Sequence, residues 1–157
     1  MNAKAKLIVS FLVFFAVLGS LGLWIYLHPE RLRNESYTTL KDNSSFTIEI
    51  VDTPASEAQG LSGRVNVPHD YGMLFVFPDD EAYGFWMKDM LVPLDMIWLS
   101  DKGEIVGIED SVTPESYPHV FYPPEPVRYV LETRAGEARA QGWTVGTPLG
   151  LPVPAGL

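Results

Sequence analysis

The chain has no cysteine among its 157 residues. This absence excludes disulfides, thiolate nucleophiles and zinc sites built on thiolates. Familiar enzyme signatures are missing too, since there is no Gly-x-Ser-x-Gly elbow, no phosphate-binding glycine loop and no His-Glu-x-x-His pair. No spacing of His, Asp or Glu predicts a metal site, and no motif predicts a cofactor. The sequence therefore identifies no catalytic residue and favours a protein that is not an enzyme.

Basic residues are scarce, with 11 Lys and Arg against 20 Asp and Glu and a formal net charge of -9. Four of the basic residues, Lys4, Lys6, Arg31 and Arg33, flank the first apolar run, so the remainder of the chain is more acidic still. An acidic surface repels the phosphate backbone of DNA and RNA. We therefore exclude nucleic acid as a partner.

One long uncharged run extends from Leu7 to Leu27. At about 1.5 Å per residue, a helix of this length spans the ~30 Å hydrocarbon layer, so the sequence predicts a transmembrane anchor. Residues 1–6 are then cytoplasmic, and residues 28–45 are a polar linker that holds a domain on the extracytoplasmic side. The alternative is a cleaved signal peptide, with small residues at 19–22 as the cleavage zone and a secreted product.

Residues 46–149 are predicted to form one globular domain, followed by a tail at 150–157. Its class is α+β, a mainly antiparallel β-sheet or small open barrel with two short helices. Alternation and apolar runs predict strands at 46–51, 73–77, 85–88, 94–99, 104–109 and 127–132. Helix signals predict helices at 55–61, after Thr53 and Pro54, and at 135–141. We further predict a turn at 78–81, a Pro-rich loop at 113–126 and an edge segment near Trp143.

Several segments carry a resemblance to a known family: GMLFVF at 72–77, FWMKDM at 85–90, PLDMIWL at 93–99, DKGEIV at 101–106, and YVLE at 129–132 followed by AG. Together they resemble the bacterial and archaeal family named domain of unknown function 192, over about residues 46–149. The resemblance implies a small, exported or membrane-anchored domain with a compact, mainly antiparallel β fold. It implies no activity. The chain departs from the family pattern at Asp89-Met90, where Asn-Thr is commoner.

Asp95 interrupts a strand whose other residues are apolar. A buried carboxylate is costly without a partner, and Lys88, across a short link between strands, is the expected one. One interpretation is a structural ion pair or a turn cap. The other places Lys88, Asp89 and Asp95 at the mouth of a pocket, where paired carboxylates could support hydrolysis.

Aromatic residues near these charges suit the apolar faces of sugars, provided that the rings are exposed and not part of the core. The sequence favours a membrane-anchored, envelope-facing binding or accessory module for a saccharide or an envelope protein. One alternative is an envelope hydrolase that uses Asp95 with Lys88 or Asp89, and the other is a structural scaffold that recruits a partner by its sheet edge. The candidate binding residues are Trp86, Lys88, Asp89, Asp95, Tyr117 and Tyr122.

Overall fold

The structure, a computed structural model, describes residues 36–39 and 46–151. The predicted membrane segment Leu7 to Leu27 lies outside the described residues. Within the described ranges, no helix is long and apolar enough to cross a bilayer. The elements follow in the order β1 (Ser36–Thr39), β2 (Thr47–Val51), α1 (Pro54–Gln59), β3 (Tyr71–Glu81), β4 (Phe85–Trp86), β5 (Leu94–Leu99), β6 (Ile105–Val112), a 3₁₀ turn (Pro114–Ser116), β7 (Val120–Phe121), β8 (Val127–Arg134) and α2 (Glu137–Ala140).

Six of these strands form one open sheet in the order β1-β2-β3-β8-β5-β6, and β4 pairs with β7 in a small second sheet. The neighbouring strands are antiparallel except for β2 and β3, which run parallel. A parallel pair needs a crossover connection, and α1 lies within it. The predicted α+β class, with a mainly antiparallel sheet and two short helices, is therefore confirmed.

The central strands of the large sheet carry apolar side chains on both faces. In β5, every residue is buried, with Met96 and Trp98 in one core cluster and Ile97 and Leu99 in another. We name these sides the Phe75 face and the Leu74 face, after the β3 residues that belong to the respective clusters. Burial on both sides explains the nearly continuous apolar runs of β3 and β5.

Helix α1 begins where the sequence predicts, because Thr53 and Pro54 supply its start. The Thr53 hydroxyl accepts a hydrogen bond from the Ser56 N–H, and the Ser56 hydroxyl accepts one from the Thr53 N–H. The helix ends at Gln59, slightly before the predicted end, since Gly60 adopts a positive φ of 49°. This short helix forms one wall of a cleft.

The predicted turn at 78–81 instead continues β3. Arg128 of β8 holds this extension, since its guanidinium donates to the Asp80 carboxylate at 2.7 Å and to the Pro78 carbonyl at 2.5 Å. The pairing of β3 with β8 shifts register between Val76 and Glu81. A cross-strand side chain thus overrides the local turn signal of Pro and Asp.

Other boundaries also differ from the prediction. The linker at 28–45 contains β1, which pairs with β2 and places Ser36 opposite Ile50, so the sheet begins before residue 46. The segment after α2 forms no regular strand, and it contacts the start of β6 through an isolated bridge between Glu104 and Pro148 and through hydrogen bonds of Gly146 and Thr147 with Ile105. Both segments are short, so their own sequence patterns are weak.

Candidate functional site

A cleft opens on the Phe75 face, between α1 with its following loop on one side and β4 on the other. Its inner pocket has a volume of about 210 Å³. An outer groove of about 480 Å³ continues from it. Six lining residues are common to both parts, namely Glu57, Ala58, Gln59, Ser62, Trp86 and Lys88. Because of these shared walls, we treat the inner pocket and the outer groove as one binding cleft.

Glu132 of β8 lines the inner pocket. The sheet register places it beside Met73 of β3 and Met96 of β5, so its carboxyl is surrounded by apolar neighbours. The residue is only 5 % exposed. No described residue forms a hydrogen bond or ion pair with the carboxyl, and burial alone raises its pKa to about 8. An unpartnered, buried acid that faces a cleft is a strong indication of a binding site.

Aromatic rings form the walls next to Glu132. Tyr83 stacks on Phe77 with ring centroids 3.7 Å apart, and its hydroxyl donates to the Asp79 carbonyl at 2.9 Å. Phe85 meets Phe75 edge to face at 4.9 Å. All four rings line the inner pocket. These mutual contacts hold the walls in place without a ligand.

The rim of the cleft contains three of the residues predicted from sequence. Trp86 and Lys88 line both parts of the cleft, and Asp89 lines the outer groove. The turn that carries Lys88 and Asp89 is fixed to the loop after α1. The Lys88 carbonyl accepts from the Ser62 hydroxyl at 3.1 Å, and the Asp89 carbonyl accepts from the Gly63 N–H at 2.9 Å.

Tyr117 and Tyr122 lie beside the cleft and do not line it. Tyr117 meets the Trp86 ring at 6.1 Å, and Tyr122 packs so closely over Gly84 that a Cβ there would lie 2.8 Å from its ring. Trp86, Tyr117 and Tyr122 are 52 %, 46 % and 59 % exposed. This exposure distinguishes a surface available for binding from a packed core.

Asp95 lies elsewhere, and the expected pairing with Lys88 is wrong. The residue is fully buried, and its carboxylate accepts three backbone N–H groups, from Ser111 at 2.8 Å, Gly136 at 3.0 Å and Ala138 at 2.9 Å. Asp95 does not line the cleft and forms no salt bridge with Lys88. The carboxylate therefore joins the end of β6 to the start of α2. Because it is buried and fully hydrogen-bonded there, it is not available as the acid of a hydrolase.

The sequence analysis does not identify Glu132, because alternation along 127–132 predicts a strand without showing that both of its faces are buried. The adjacent apolar residues Val130 and Leu131 carry the signal that could have found it, since they predict burial on both faces and hence burial of Glu132. Glu57 and Gln59 of α1 were missed because a short amphipathic helix gives no indication of what it faces. Burial, and secondarily Asp52, raise the Glu57 pKa.

A second buried carboxylate cluster is satisfied within the protein. Arg64 donates to both carboxylate oxygens of Glu49 at 2.9 Å, and the Tyr71 hydroxyl donates to the same carboxylate. Burial and the Glu49 carboxylate raise the Tyr71 pKa. Within the described part of the chain, no group of three or more His, Asp or Glu could hold a metal ion. Glu132 differs from Glu49 in having no hydrogen-bond or ion-pair partner among the residues that the structure describes.

Comparisons with known proteins find a family and solved structures that this chain resembles. The model of the family DUF192, described as "Uncharacterized ACR", matches residues 37–151. A crystal structure described as a "putative transcription regulator" from Sinorhizobium meliloti 1021 is 36% identical, covers 68% of this chain and 84% of its own, and has a TM-score of 0.64. A protein of unknown function from Novosphingobium aromaticivorans DSM 12444 is 21% identical with a TM-score of 0.64, over 75% and 94% of the two chains, which shows the fold alone. A search of curated proteins finds no match.

Proposed function

The chain belongs to the domain of unknown function 192 family, and we propose that it is a membrane-anchored, envelope-facing binding module that holds a saccharide in the cleft. One observation carries this proposal. The exposed ring of Trp86 stands at the mouth of a pocket that contains the unpartnered carboxyl of Glu132. A sugar offers an apolar ring face to an indole and hydroxyl groups to a carboxyl, so it complements both groups at once.

The geometry of the cleft suits a non-catalytic role. Hydrolysis of a glycoside needs a pair of carboxyl groups with defined roles on the two sides of the bond. Glu132 lies deep among apolar side chains, whereas Glu57 and Asp89 lie on the rim near Lys88. The groups on the rim are suited to orient hydroxyls, and Trp86 is suited to provide contact area.

The apolar run from Leu7 to Leu27 supports the membrane anchor, and its flanking charges support a domain outside the cytoplasm. A fusion of alkaline phosphatase to the C-terminus of the full-length chain tests this topology. We expect active phosphatase, because the enzyme matures only outside the cytoplasm. Activity of a cytoplasmic reporter at the same position would contradict the proposed orientation.

Binding itself is tested by a thermal-shift panel of envelope saccharides with the full-length chain in a polyoxyethylene detergent, whose headgroup is not a sugar. A ligand at about 100 times its dissociation constant should stabilise the folded state by about 2.7 kcal/mol. Trp86→Ala should abolish the shift. Leu91→Ala is the matched control, because Leu91 is equally exposed and does not line the cleft. No shift with any saccharide would contradict saccharide binding.

An envelope protein is the second candidate ligand, because the exposed rings of Trp86, Tyr117 and Tyr122 are typical of protein-binding surfaces. Photo-crosslinking from a photoreactive residue placed at position 117, in cells, would capture such a partner.

Recruitment of a partner by a sheet edge is less favoured, since β6 carries Glu109 and Asp110, and edge charges oppose strand addition. A regulatory role on nucleic acid is not carried over from the Sinorhizobium relative, because the acidic chain repels phosphates.

A further inference from the structure

We propose that the inner pocket takes a positively charged amino group, and that the ligand is an amino sugar with a free ammonium group. This inference rests on the proposed function and specifies its ligand. It depends on three features of the pocket: the unpartnered carboxyl of Glu132, the aromatic walls and the small volume.

The ionised carboxyl of Glu132 is disfavoured in the empty pocket, and a cation would stabilise it more than a neutral hydroxyl would. A carboxylate in apolar surroundings is strongly destabilised unless an opposite charge or several hydrogen bonds compensate it. Here the described part of the protein supplies neither, and the flanking side chains are those of Met73 and Met96. A bound ammonium group would supply the missing charge together with as many as three donors.

The other ionisable groups of the pocket do not satisfy Glu132. Glu57, Tyr83 and Lys88 line the same pocket. Lys88 is exposed and forms no salt bridge with Glu132, so its charge stays at the rim. Glu57 adds negative charge, and the Tyr83 hydroxyl is directed to the Asp79 carbonyl. A ligand cation therefore has no competitor for Glu132 among these groups.

The walls of the pocket reinforce this preference. The rings of Phe75, Phe77, Tyr83 and Phe85 line the same pocket as the carboxyl. The face of an aromatic ring attracts a cation by about 0.5–2 kcal/mol, depending on desolvation. A carboxyl combined with aromatic walls is the complement of an organic ammonium group.

The size of the pocket restricts what enters. The inner volume of about 210 Å³ lies below the range of roughly 300–1,000 Å³ for sites that take drug-sized ligands. It therefore accommodates one substituted sugar unit, and the outer groove with Trp86 accommodates the next. An amino sugar disaccharide fits both parts, with the ammonium group at Glu132.

The test measures binding of three disaccharides to the full-length chain in the same detergent by isothermal titration calorimetry. The probes are the disaccharide of glucosamine, its N,N′-diacetyl form and cellobiose. At the corresponding position they carry a free amino group, an acetylated amino group and a hydroxyl group. We expect the free amine to bind about tenfold more tightly than the other two, as charge-assisted and cation–π contacts together imply. Glu132→Gln should remove the preference, and Glu125→Gln, a control at an exposed glutamate that does not line the cleft, should retain it.

The outcomes separate this inference from the proposed function. Equal binding of all three disaccharides, lost in Trp86→Ala, would overturn the amino-group assignment and leave saccharide binding intact. No binding of any disaccharide would overturn both. Glu132→Met is a second variant, whose side chain matches the neighbouring methionines. It allows the preference to be measured even if Glu132→Gln does not fold. A preference that persists in the folded variants would also overturn the assignment.

Discussion

Glu132 should make the stability of this protein depend on pH in an unusual direction. Its carboxyl has an ordinary pKa of 4.5, which burial raises to about 8 in the folded state. Between these two values the folded protein retains a proton that the unfolded chain has released. Stability must therefore fall as the pH rises from about 4.5, and it must level off above about 8. Most paired carboxylates have the opposite effect, because their pKa is lowered on folding.

The size of the effect follows from the shift in pKa. A change from 4.5 to about 8, at about 1.4 kcal/mol per unit, gives a total loss on the order of 5 kcal/mol, of which roughly 4 kcal/mol falls between pH 5 and pH 8.5. Glu132→Gln keeps the shape of the side chain and removes the titration. The variant and the wild type should therefore be similarly stable at pH 5, and the variant should be more stable at pH 8.5.

Urea denaturation of the full-length chain at both pH values measures the difference. With an m-value of about 2 kcal/mol/M, a difference on the order of 4 kcal/mol moves the midpoint by roughly 2 M. Near-ultraviolet circular dichroism follows the environment of Trp98, which is buried in the core. Glu125→Gln is the control, because it alters an exposed glutamate outside the cleft. A midpoint difference between wild type and Glu132→Gln that is the same at pH 5 and pH 8.5 would refute the reasoning.

Three further predictions concern single positions. Asp95→Asn should cost roughly 2–3 kcal/mol in urea denaturation, because its amide N–H₂ would oppose the Ala138 N–H, whereas Asp101→Asn, a control at an exposed aspartate, should leave the midpoint unchanged. Gly72→Ala should destabilise by about 1–3 kcal/mol in the same assay, since its Cβ would lie 2.6 Å from Leu131. Trp86→Ala should change the unfolding free energy by less than about 0.5 kcal/mol, and a larger loss would show that its ring is structural.

The sequence predicts the strands well where apolar patterning and pairing act together. β5 is found at its predicted bounds, and the core of β3 follows the run GMLFVF. Prediction fails where a distant side chain decides the local structure, as when Arg128 holds residues 78–81 extended. It also fails for β1, whose pairing with β2 depends on a partner and not on its own pattern.

The candidate site was predicted only in part, because burial could be inferred but orientation could not. Trp86, Lys88 and Asp89 meet at one rim since they share a short segment next to β4. Asp95 was correctly expected to be buried. The sequence offered Lys88 as the nearest complementary charge, whereas the backbone of Ser111, Gly136 and Ala138 supplies the donors. Backbone donors carry no signal in the amino-acid pattern, so this partnership was not predictable.

Asp95 and Glu132 are both buried in the same sheet, and their different surroundings distinguish a structural carboxylate from a carboxyl of the candidate site. Three N–H groups occupy the carboxylate of Asp95, so its burial contributes to the fold. Glu132 receives no such support among the described residues, and its burial opposes folding at neutral and alkaline pH. A methionine like those on either side would be more stable at this position. The carboxyl is therefore better explained by what enters the cleft than by the fold, which is why the site is assigned to Glu132.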